Sequence, residues 1–463
     1  QVRSPIMDRR QLLIGGTALA MLTAGLAQAK TRRKPNFIVI YCDDLGYGDI
    51  GPTGGRDIPT PNLDRMAREG ITLTDYYAPA NLCTPSRAGF LTGRYPIRAG
   101  MSDVLLAAHT KVMPTSEVTI PKALGGDYAS ALIGKWHLGH SGPDWAPTNY
   151  GFDYFYGLPY SHDIAPLQVY EFDRTGQQGM WEPDYPLLQQ NFYAKAERFI
   201  EGMKNNPFFL TLAISSPHLP NYSAPGFENK SARAGAYGDS VMEIDSLVGR
   251  LMDKLKALGI DQDTLLIFTS DNGPWFEGST GGLRQRKGGG GYDGGYRVPF
   301  IARWPGQVPA NVRSDAVTMG IDLLPTFCSL SGIPVPAGLE LDGKDISDVL
   351  LRGGATPHGE LILFQSEEVV AIRTQRWKYV RADLYMNHLF LVDGRGYPQL
   401  YDMSQAGEEY SVASLHPEVV SAMQQRLSRA DAHFAPLRTK EGPIERQLQN
   451  PPRRDVPDQW RPD

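Results

Sequence analysis

The chain has 463 residues, of which 41% are hydrophobic and 10% aromatic, enough apolar content to bury one or two large cores. This content excludes a disordered protein. The 46 Lys and Arg residues are outnumbered by 51 Asp and Glu, and the formal charge of −5 argues against a nucleic-acid partner. Three cysteines in a chain of this length do not indicate a disulfide framework.

The first predicted element is an export signal over residues 1–34. The pair Arg9-Arg10 precedes an uncharged run from Gln11 to Ala29, which ends in the small-residue motif Ala-Gln-Ala. Such a run is typical of a removable signal, and the arginine pair resembles the twin-arginine class, which predicts a bacterial periplasmic location. An uncleaved membrane anchor is the alternative, because the run is close to the length of a span. No comparable apolar run follows, so we expect no membrane span in the mature protein.

Four short apolar runs predict the strands of a parallel sheet. Their β-branched and aromatic residues suit strands that are buried on both faces. The runs occupy residues 36–44, 129–137, 208–218 and 264–272. Helical patterns lie between them at 60–70, where Thr60 is a candidate cap, and at 239–259, where apolar residues recur at three- and four-residue steps. The alternation of strands and helices predicts an α/β fold.

Acidic and amide side chains end two of these runs. Asp43 and Asp44 end the first run, and Asp271 and Asn272 end the fourth. Each pair taken alone also suits a turn or a helix cap. In an open parallel sheet the carboxyl ends of the strands meet at one edge, and three carboxylates gathered there repel one another unless a cation is present. Oxygen ligands select a hard cation, so the pattern predicts Ca²⁺ or Mg²⁺.

Basic residues near the same strand ends predict a site for an anion. Lys135 and His137 end the second run, His218 ends the third, and Lys287 lies in a glycine-rich stretch after the fourth. A single His or Lys is most often solvated or structural. Their common position beside a metal site favours a functional role.

Cys83 lies at the start of a predicted helix, within the stretch Asn-Leu-Cys-Thr-Pro-Ser-Arg. A small buried hydrophobe is the simple interpretation of such a cysteine. Arg87, one turn later, would point back over the helix start, where free N–H groups and the helix dipole also favour an anion. The residues alone leave both interpretations open.

After residue 356 the pattern changes to short strands with little between them. The strands at 360–365, 369–374 and 377–382 predict a small antiparallel sheet, and a helix over about 416–434 would pack on it.

These patterns divide the chain into four parts. The signal is followed by a catalytic domain over 35–356, a C-terminal α+β subdomain over 357–436 and a Pro- and charge-rich tail over 437–463. The tail is either disordered or an arm that wraps a neighbouring subunit of a homo-oligomer.

The sequence resembles the type I sulfatases, in which a formylglycine-generating enzyme oxidises the signature cysteine. The signature Cys-Thr-Pro-Ser-Arg at 83–87 carries the resemblance, and Leu-Pro-Tyr-Ser-His-Asp at 158–163 is most similar to the arylsulfatase A branch. Further matching motifs occupy residues 35–51, 134–139, 151–163, 239–255, 268–273, 292–306 and 399–413. The resemblance implies an alkaline-phosphatase-like fold and hydrolysis of a small sulfate ester.

The resemblance also implies a mechanism and a metal site. A hydrated aldehyde at residue 83 carries two hydroxyls on one carbon, so one can attack sulfur and the other can expel sulfate, which a thiol cannot do. The implied metal is Ca²⁺, with Mg²⁺ possible, and its implied ligands are the oxygen of residue 83, Asp43, Asp44, Asp271 and Asn272.

The other implied roles concern basic and pocket residues. Arg87 and Lys135 would position the formylglycine, and His137 would be the base for the eliminating hydroxyl. The implied sulfate-binding and acid residues are His218 and Lys287, and the implied pocket residues are Ser161 and His162.

The sequence departs from the family pattern at two places. Four glycines, Gly288–Gly291, separate Lys287 from Tyr292-Asp-Gly-Gly, where the family usually has three residues. Because of this insertion, the sequence does not decide whether Lys287 reaches the sulfate, and it predicts that the four glycines are mobile. Tyr150 replaces a commonly seen histidine, with no predicted effect.

Two other functions compete with a sulfate monoester hydrolase. A phosphonate or phosphate ester hydrolase would share the scaffold, the metal and the signature. A non-catalytic exported protein could bind anions in the same pocket, but binding alone would not need the maturation site at Cys83.

Overall fold

The computed structural model describes residues 33–381, 398–405 and 407–439. The predicted export signal and most of the predicted tail lie outside these residues. No helix of the described part is long and apolar enough to cross a membrane.

Twelve strands precede the C-terminal region in the described chain. They are β1 Asn36–Asp43, β2 Ile71–Leu73, β3 Tyr76–Tyr77, β4 Ala129–Lys135, β5 Tyr154–Leu158, β6 Val169–Asp173, β7 Gly176–Trp181, β8 Phe208–Pro217, β9 Thr264–Ser270, β10 Phe300–Arg303, β11 Val312–Ser314 and β12 Thr318–Met319. Ten of them form one sheet in the order β11-β2-β10-β9-β1-β8-β4-β5-β6-β7, and β3 pairs with β12. The run from β9 through β1, β8 and β4 to β5 is parallel, as predicted for the four apolar runs.

The described residues form nine α-helices, several of which pack on the two faces of this sheet. They are α1 Pro61–Arg68, α2 Cys83–Thr92, α3 Ile120–Leu124, α4 Leu188–Met203, α5 Gly235–Ala257, α6 Asp293–Tyr296, α7 Leu323–Ser331, α8 Ser347–Arg352 and α9 Pro417–Phe434. Strand β1 shows why two cores form. Phe37, Val39 and Tyr41 face the core that contains α2 and α7, and Ile38 and Ile40 face the core that contains α4 and α5.

The C-terminal region forms a separate antiparallel sheet, as predicted. Its strands are β13 Leu361–Gln365, β14 Glu368–Arg373, β15 Trp377–Val380 and β16 Gln399–Asp402. Met423, Leu427 and Phe434 of α9 share a hydrophobic core with this sheet. The predicted α/β fold, with a mostly parallel sheet and a smaller antiparallel one, is therefore confirmed.

Two local features differ from the sequence-based expectations. Helix α5 begins at Gly235, four residues before the predicted start. Thr60 is the residue before α1, but its side chain does not cap that helix. Its Oγ1 instead accepts a hydrogen bond from the N–H of Gly51 at 2.9 Å, which fastens the preceding loop.

Candidate active site

The predicted site residues meet at the carboxyl edge of the parallel strands. Asp43 ends β1, Lys135 ends β4, and His218 directly follows β8. Asp271 and Asn272 directly follow β9, the other neighbour of β1. All five are buried. The edge therefore gathers charged groups that come from four adjacent strands.

Helix α2 directs its first turn at this edge. Cys83 is its first residue and is 2% exposed. Arg87 lies one turn later, where its Nη2 is 2.7 Å from Asp271 Oδ2 and its Nη1 donates to the carbonyl oxygen of Lys135 at 3.0 Å. Arg87 thus links the helix to the ends of β9 and β4, and this contact fixes the position of Cys83 relative to the sheet.

Lysines neutralise two of the three carboxylates. Lys135 Nζ lies 2.6 Å from Asp43 Oδ2, and Lys287 Nζ lies 2.8 Å from Asp44 Oδ2. Burial raises the pKa of Asp43, but Lys135 and His218 outweigh it and hold that pKa well below its usual range. Burial and the charge of Asp43 together raise the pKa of Asp271 to about 7. The carboxylates therefore repel one another even beside these cations.

The donor set at this edge fits a hard divalent cation. Asp43 Oδ1 and Asn272 Oδ1 are buried and have no hydrogen-bond partner among the described residues, although Arg87 Nη2 lies 3.6 Å from Asp43 Oδ1. Ligand atoms of Asp43, Asp44 and His218 lie within 4.8 Å of one another. Unsatisfied buried oxygens beside mutually repelling carboxylates are the chemistry that Ca²⁺ or Mg²⁺ would satisfy.

His137 is held as a neutral imidazole with one free nitrogen. Its Nε2 lies 2.8 Å from the carbonyl oxygen of Leu105, and because a carbonyl can only accept, Nε2 carries the proton. Its Nδ1 is buried, and no group in the described part of the chain forms a hydrogen bond with it. Burial, with a contribution from Lys135, lowers the pKa of His137 well below its usual value. Nδ1 can therefore accept a proton.

Two further histidines lie one behind the other. His218 Nδ1 donates to the carbonyl oxygen of Leu219 at 2.5 Å, so its Nε2 is directed at Asp44 Oδ2, 3.6 Å away. His162 Nε2 lies 3.0 Å from the carbonyl oxygens of His218 and Pro220. Burial and the neighbouring His218 lower the pKa of His162 to about 4. His162 thus supports the segment that carries His218.

A cleft of about 410 Å³ opens onto these groups. Its lining combines site residues with apolar side chains. The lining residues are Asp44, Leu82, Cys83, Val104, Leu106, His137, Ser161, Asp163, Ile164, His218, Leu219, Trp275, Lys287 and Gly288. Ser161 is therefore at the cleft surface, whereas His162 lies behind it.

The glycine insertion does not displace Lys287. Gly288 donates its N–H to the carbonyl oxygen of Asn81 at 3.0 Å, and Asn81 Nδ2 donates to the carbonyl oxygen of Gly290 at 2.8 Å. Gly290 also donates its N–H to Gln365 Oε1 at 3.0 Å. The run predicted to be mobile is therefore fastened at several points.

Tyr150, the other departure from the family pattern, is a core residue. Its hydroxyl donates to the carbonyl oxygen of Met113 at 2.5 Å, and its ring packs against Trp136 with centroids 5.1 Å apart. It does not line the cleft.

Sequence reasoning missed three contributors to the site. The carbonyl oxygen of Leu105, which sets the proton position on His137, lies in a loop without regular structure, and nothing in the sequence indicates it. Asp163 and Trp275 both line the cleft. The Trp275-Phe276 pair, three residues after a strand end that carries site residues, was a signal that could have been used.

Buried carboxylates, basic side chains and the start of α2 meet at one edge of the sheet, an arrangement that suits the hydrolysis of an anionic ester. Residues 35–333 match the family described as Sulfatase, and residues 291–432 match the one described as N-sulphoglucosamine sulphohydrolase, C-terminal. The chain is 38% identical to arylsulfatase A of Homo sapiens, across 88% of this chain and 89% of that protein. This chain belongs to the sulfatase family, and it is a sulfuric ester hydrolase.

Solved structures agree with this assignment. The PsFucS1 sulfatase from Pseudoalteromonas sp. is 28% identical with a TM-score of 0.79, and the match covers 94% of this chain and 96% of that one. The phosphonate monoester hydrolase SpPMH from Silicibacter pomeroyi is 18% identical with a TM-score of 0.62, covering 87% and 96%. The second likeness shows a shared fold alone, so the phosphonate hydrolase alternative is not favoured.

Proposed function

We propose that this sulfatase cleaves arylsulfatase-type sulfate monoesters with a formylglycine made from Cys83 and with a bound Ca²⁺. The observation that carries the proposal is the position of Cys83, at the start of α2 and facing the cleft beside His137, His218 and Lys287. Burial raises the pKa of the Cys83 thiol, although Lys135 opposes this. A thiol held protonated is a poor nucleophile, which supports conversion to another group.

The two histidines suit opposite proton transfers. A hydrated formylglycine supplies two hydroxyls on one carbon, one for attack on sulfur and one for release of sulfate. His137, neutral and with a free Nδ1, would accept the proton when sulfate is released. His218, with its Nε2 3.6 Å from Asp44 Oδ2, would donate a proton from Nε2 to the leaving oxygen when both of its ring nitrogens are protonated. Lys287, which lines the cleft, would stabilise the negative charge of the sulfate, and Lys135 with Arg87 would position the formylglycine.

The cation would be held by oxygen atoms of Asp43, Asp44, Asp271 and Asn272. It would withdraw charge from the sulfate oxygens and neutralise the carboxylates. Ca²⁺ tolerates an irregular set of oxygen ligands, whereas Mg²⁺ requires a near-octahedral set and usually keeps several waters. Metal analysis, followed by chelation and readdition, should show that Ca²⁺ restores activity better than Mg²⁺.

A panel of three esters tests the function. We expect kcat/KM for 4-nitrophenyl sulfate to exceed the values for 4-nitrophenyl phosphate and a phenyl phosphonate monoester by about 100-fold or more. Conversion of residue 83 must be verified in the same preparation. A higher kcat/KM for either phosphorus ester would contradict the proposal.

We further infer that the enzyme is exported to a bacterial periplasm. The inference rests on the Arg9-Arg10 pair and the Ala-Gln-Ala motif that ends at Ala29. N-terminal sequencing of the periplasmic enzyme should begin just after Ala29. A mature N-terminus upstream of Arg9 in a membrane fraction would support the uncleaved anchor instead.

A further inference from the structure

Two large aromatic side chains lie at the rim of the catalytic cleft with much of their surface exposed. Trp275 is 42% exposed and Phe276 is 67% exposed, and their rings meet edge to face with centroids 4.9 Å apart. Trp275 follows Asn272 by three residues, so a short segment ties the indole to the end of β9. Exposed aromatic clusters of this kind mark surfaces that contact another molecule.

The segment that carries the pair is fastened to the site. Arg286 Nη1 donates to the carbonyl oxygen of Trp275 at 2.7 Å, and its guanidinium lies 4.9 Å from the ring centre of Phe276. The N–H of Lys287 donates to the carbonyl oxygen of Pro274 at 3.1 Å. Phe276 is thus engaged by Arg286, whereas Trp275 lines the cleft. The backbone of Trp275 is therefore held next to the lysine that reaches Asp44.

The cleft has a polar floor and an apolar wall. The floor consists of the site residues, and Asp163 belongs with it because its carboxylate interacts with His218 and Lys135. The remaining side chains of the lining are apolar: Leu82, Val104, Leu106, Ile164, Leu219 and Trp275. A sulfate on the floor would leave its alcohol against this wall.

The wall suits an aromatic alcohol better than a sugar. A sugar ring would set hydroxyls against aliphatic side chains that cannot accept or donate hydrogen bonds, which costs free energy. A phenol ring would bury apolar area there, and its face can pack on an indole. Resting on the proposed function, we propose that Trp275 is a specificity-determining residue that stacks on the ring of the departing phenol, and that the enzyme prefers aryl sulfates to sulfated sugars.

The test compares Trp275→Ala, Trp275→Leu and Trp275→Phe with the control Phe276→Ala, which removes the neighbouring, more exposed ring outside the cleft. Each variant is measured on 4-nitrophenyl sulfate and on glucose 6-sulfate, and compared with the unaltered enzyme on the same substrate. We expect Trp275→Ala to lower kcat/KM for the aryl sulfate by about tenfold or more, chiefly because KM rises. Its kcat/KM for the sugar sulfate should change by less than about twofold.

The other variants sharpen the result. Trp275→Leu keeps apolar area without a flat ring and should lose nearly as much as Trp275→Ala, whereas Trp275→Phe should retain most of the aryl activity. Phe276→Ala should change kcat/KM for either substrate by no more than about twofold. Inhibition by inorganic sulfate, which has no ring, should be the same in all variants.

The inference and the proposed function fail in different ways. The inference would be overturned if Trp275→Ala and Trp275→Leu lost kcat/KM equally for both substrates. It would also be overturned if they lost none for the aryl sulfate. Preference of the unaltered enzyme for the sugar sulfate would also overturn it and would leave the sulfatase function intact. Absence of turnover of both sulfate esters, with residue 83 converted, would instead refute the proposed function.

Discussion

Two clusters of charged side chains are buried in this protein, and they differ in how completely their atoms are paired. The first, which we propose to be catalytic and name the catalytic cluster, comprises Asp43, Asp44, Lys135, Asp271 and Asn272 at the edge of the large sheet. The second, which we name the structural cluster, comprises Asp75, Asp293, Arg373, Lys378 and Glu408. It links Asp75, between β2 and β3, and Asp293 of α6 to Arg373 and Lys378 of the small antiparallel sheet.

In the structural cluster the charged atoms contact one another directly. Lys378 Nζ lies 2.5 Å from Asp293 Oδ1 and 2.6 Å from Glu408 Oε1, and Arg373 Nη2 lies 2.7 Å from Asp75 Oδ1. None of its side-chain atoms is among the buried polar atoms without a hydrogen-bond partner that the described residues contain. In the catalytic cluster, Asp43 Oδ1 and Asn272 Oδ1 have no partner. The two clusters therefore differ in pairing, because two buried oxygens of the catalytic cluster are open to a cation and the structural cluster is satisfied by its own side chains.

The largest expected effect is the loss of activity in Asp271→Ala. Removing this carboxylate takes away a proposed cation ligand and the 2.7 Å partner of Arg87. We expect kcat/KM to fall by about a thousandfold or more, with the unfolding transition preserved. Exhaustive chelation of the unaltered enzyme should reproduce the loss. Retained activity in both experiments would show that the catalytic cluster does not work through a cation.

The two histidines beside the catalytic cluster should affect different half-reactions. With an aryl sulfate, His137→Ala should release about one equivalent of phenol per enzyme and then turn over slowly, because sulfate release lacks its base. His218→Ala should show no burst with a poor leaving group, and its defect should shrink for an activated phenol. Each variant should lose about 100-fold to 10,000-fold in steady-state rate.

Rapid-mixing kinetics over phenols of different pKa separate these outcomes. Equal sensitivity of His137→Ala and His218→Ala to the pKa of the leaving group, with no burst in either, would show that the two roles are assigned wrongly.

In the structural cluster, the expected loss is in stability rather than activity. Lys378→Met would leave Asp293 and Glu408 buried without their cation and should lower the free energy of unfolding by about 3–5 kcal/mol. Its kcat/KM should stay within about twofold wherever the protein is folded. Lys256→Met, which removes an exposed lysine 3.6 Å from Glu69, is the matched control and should cost less than about 1 kcal/mol. If Lys378→Met were stable but inactive, the claim that the structural cluster supports folding and not catalysis would be wrong.

The smallest expected effect concerns Glu408. Burial and the charge of Asp293 raise its pKa from 4.5 to about 7. Between pH 4.5 and about 7 the folded protein therefore keeps Glu408 protonated, whereas the unfolded chain does not. The contribution of this proton to the free energy of unfolding is fully present below pH 4.5 and is lost as pH rises through about 7. Urea unfolding should show that the free energy of unfolding of the unaltered protein falls between pH 5 and pH 8. In Glu408→Gln this fall should be smaller by about 1–3 kcal/mol. Parallel curves for the two proteins would contradict this.

The sequence predicted the parts of the fold that depend on local pattern. Strands β1, β4, β8 and β9 are continuous apolar runs, and polar side chains at their carboxyl ends meet because the strands are parallel neighbours. Strands β5, β6 and β7 were not predicted. Most residues of β6 and β7 are half-buried or exposed, so these two strands show no apolar run, whereas β5 was missed although three of its five residues are buried.

The identities of the proposed site residues were also accessible from sequence, but their pairings were not. The position of Lys287 depends on contacts that its neighbouring glycines make with Asn81 and Gln365, which lie far away in the chain. The proton position on His137 depends on a carbonyl oxygen of a distant loop. Such contacts arise from tertiary packing, and no local pattern records them.

The central claim, that Cys83 becomes the nucleophile, is tested most directly by mass spectrometry of the peptide that contains it. In active enzyme we expect residue 83 to be lighter than cysteine by the difference between a CH₂SH and a CHO side chain. Across preparations with different degrees of conversion, kcat should rise in proportion to the converted fraction. Fully active enzyme that retains the free thiol at residue 83 would contradict the account.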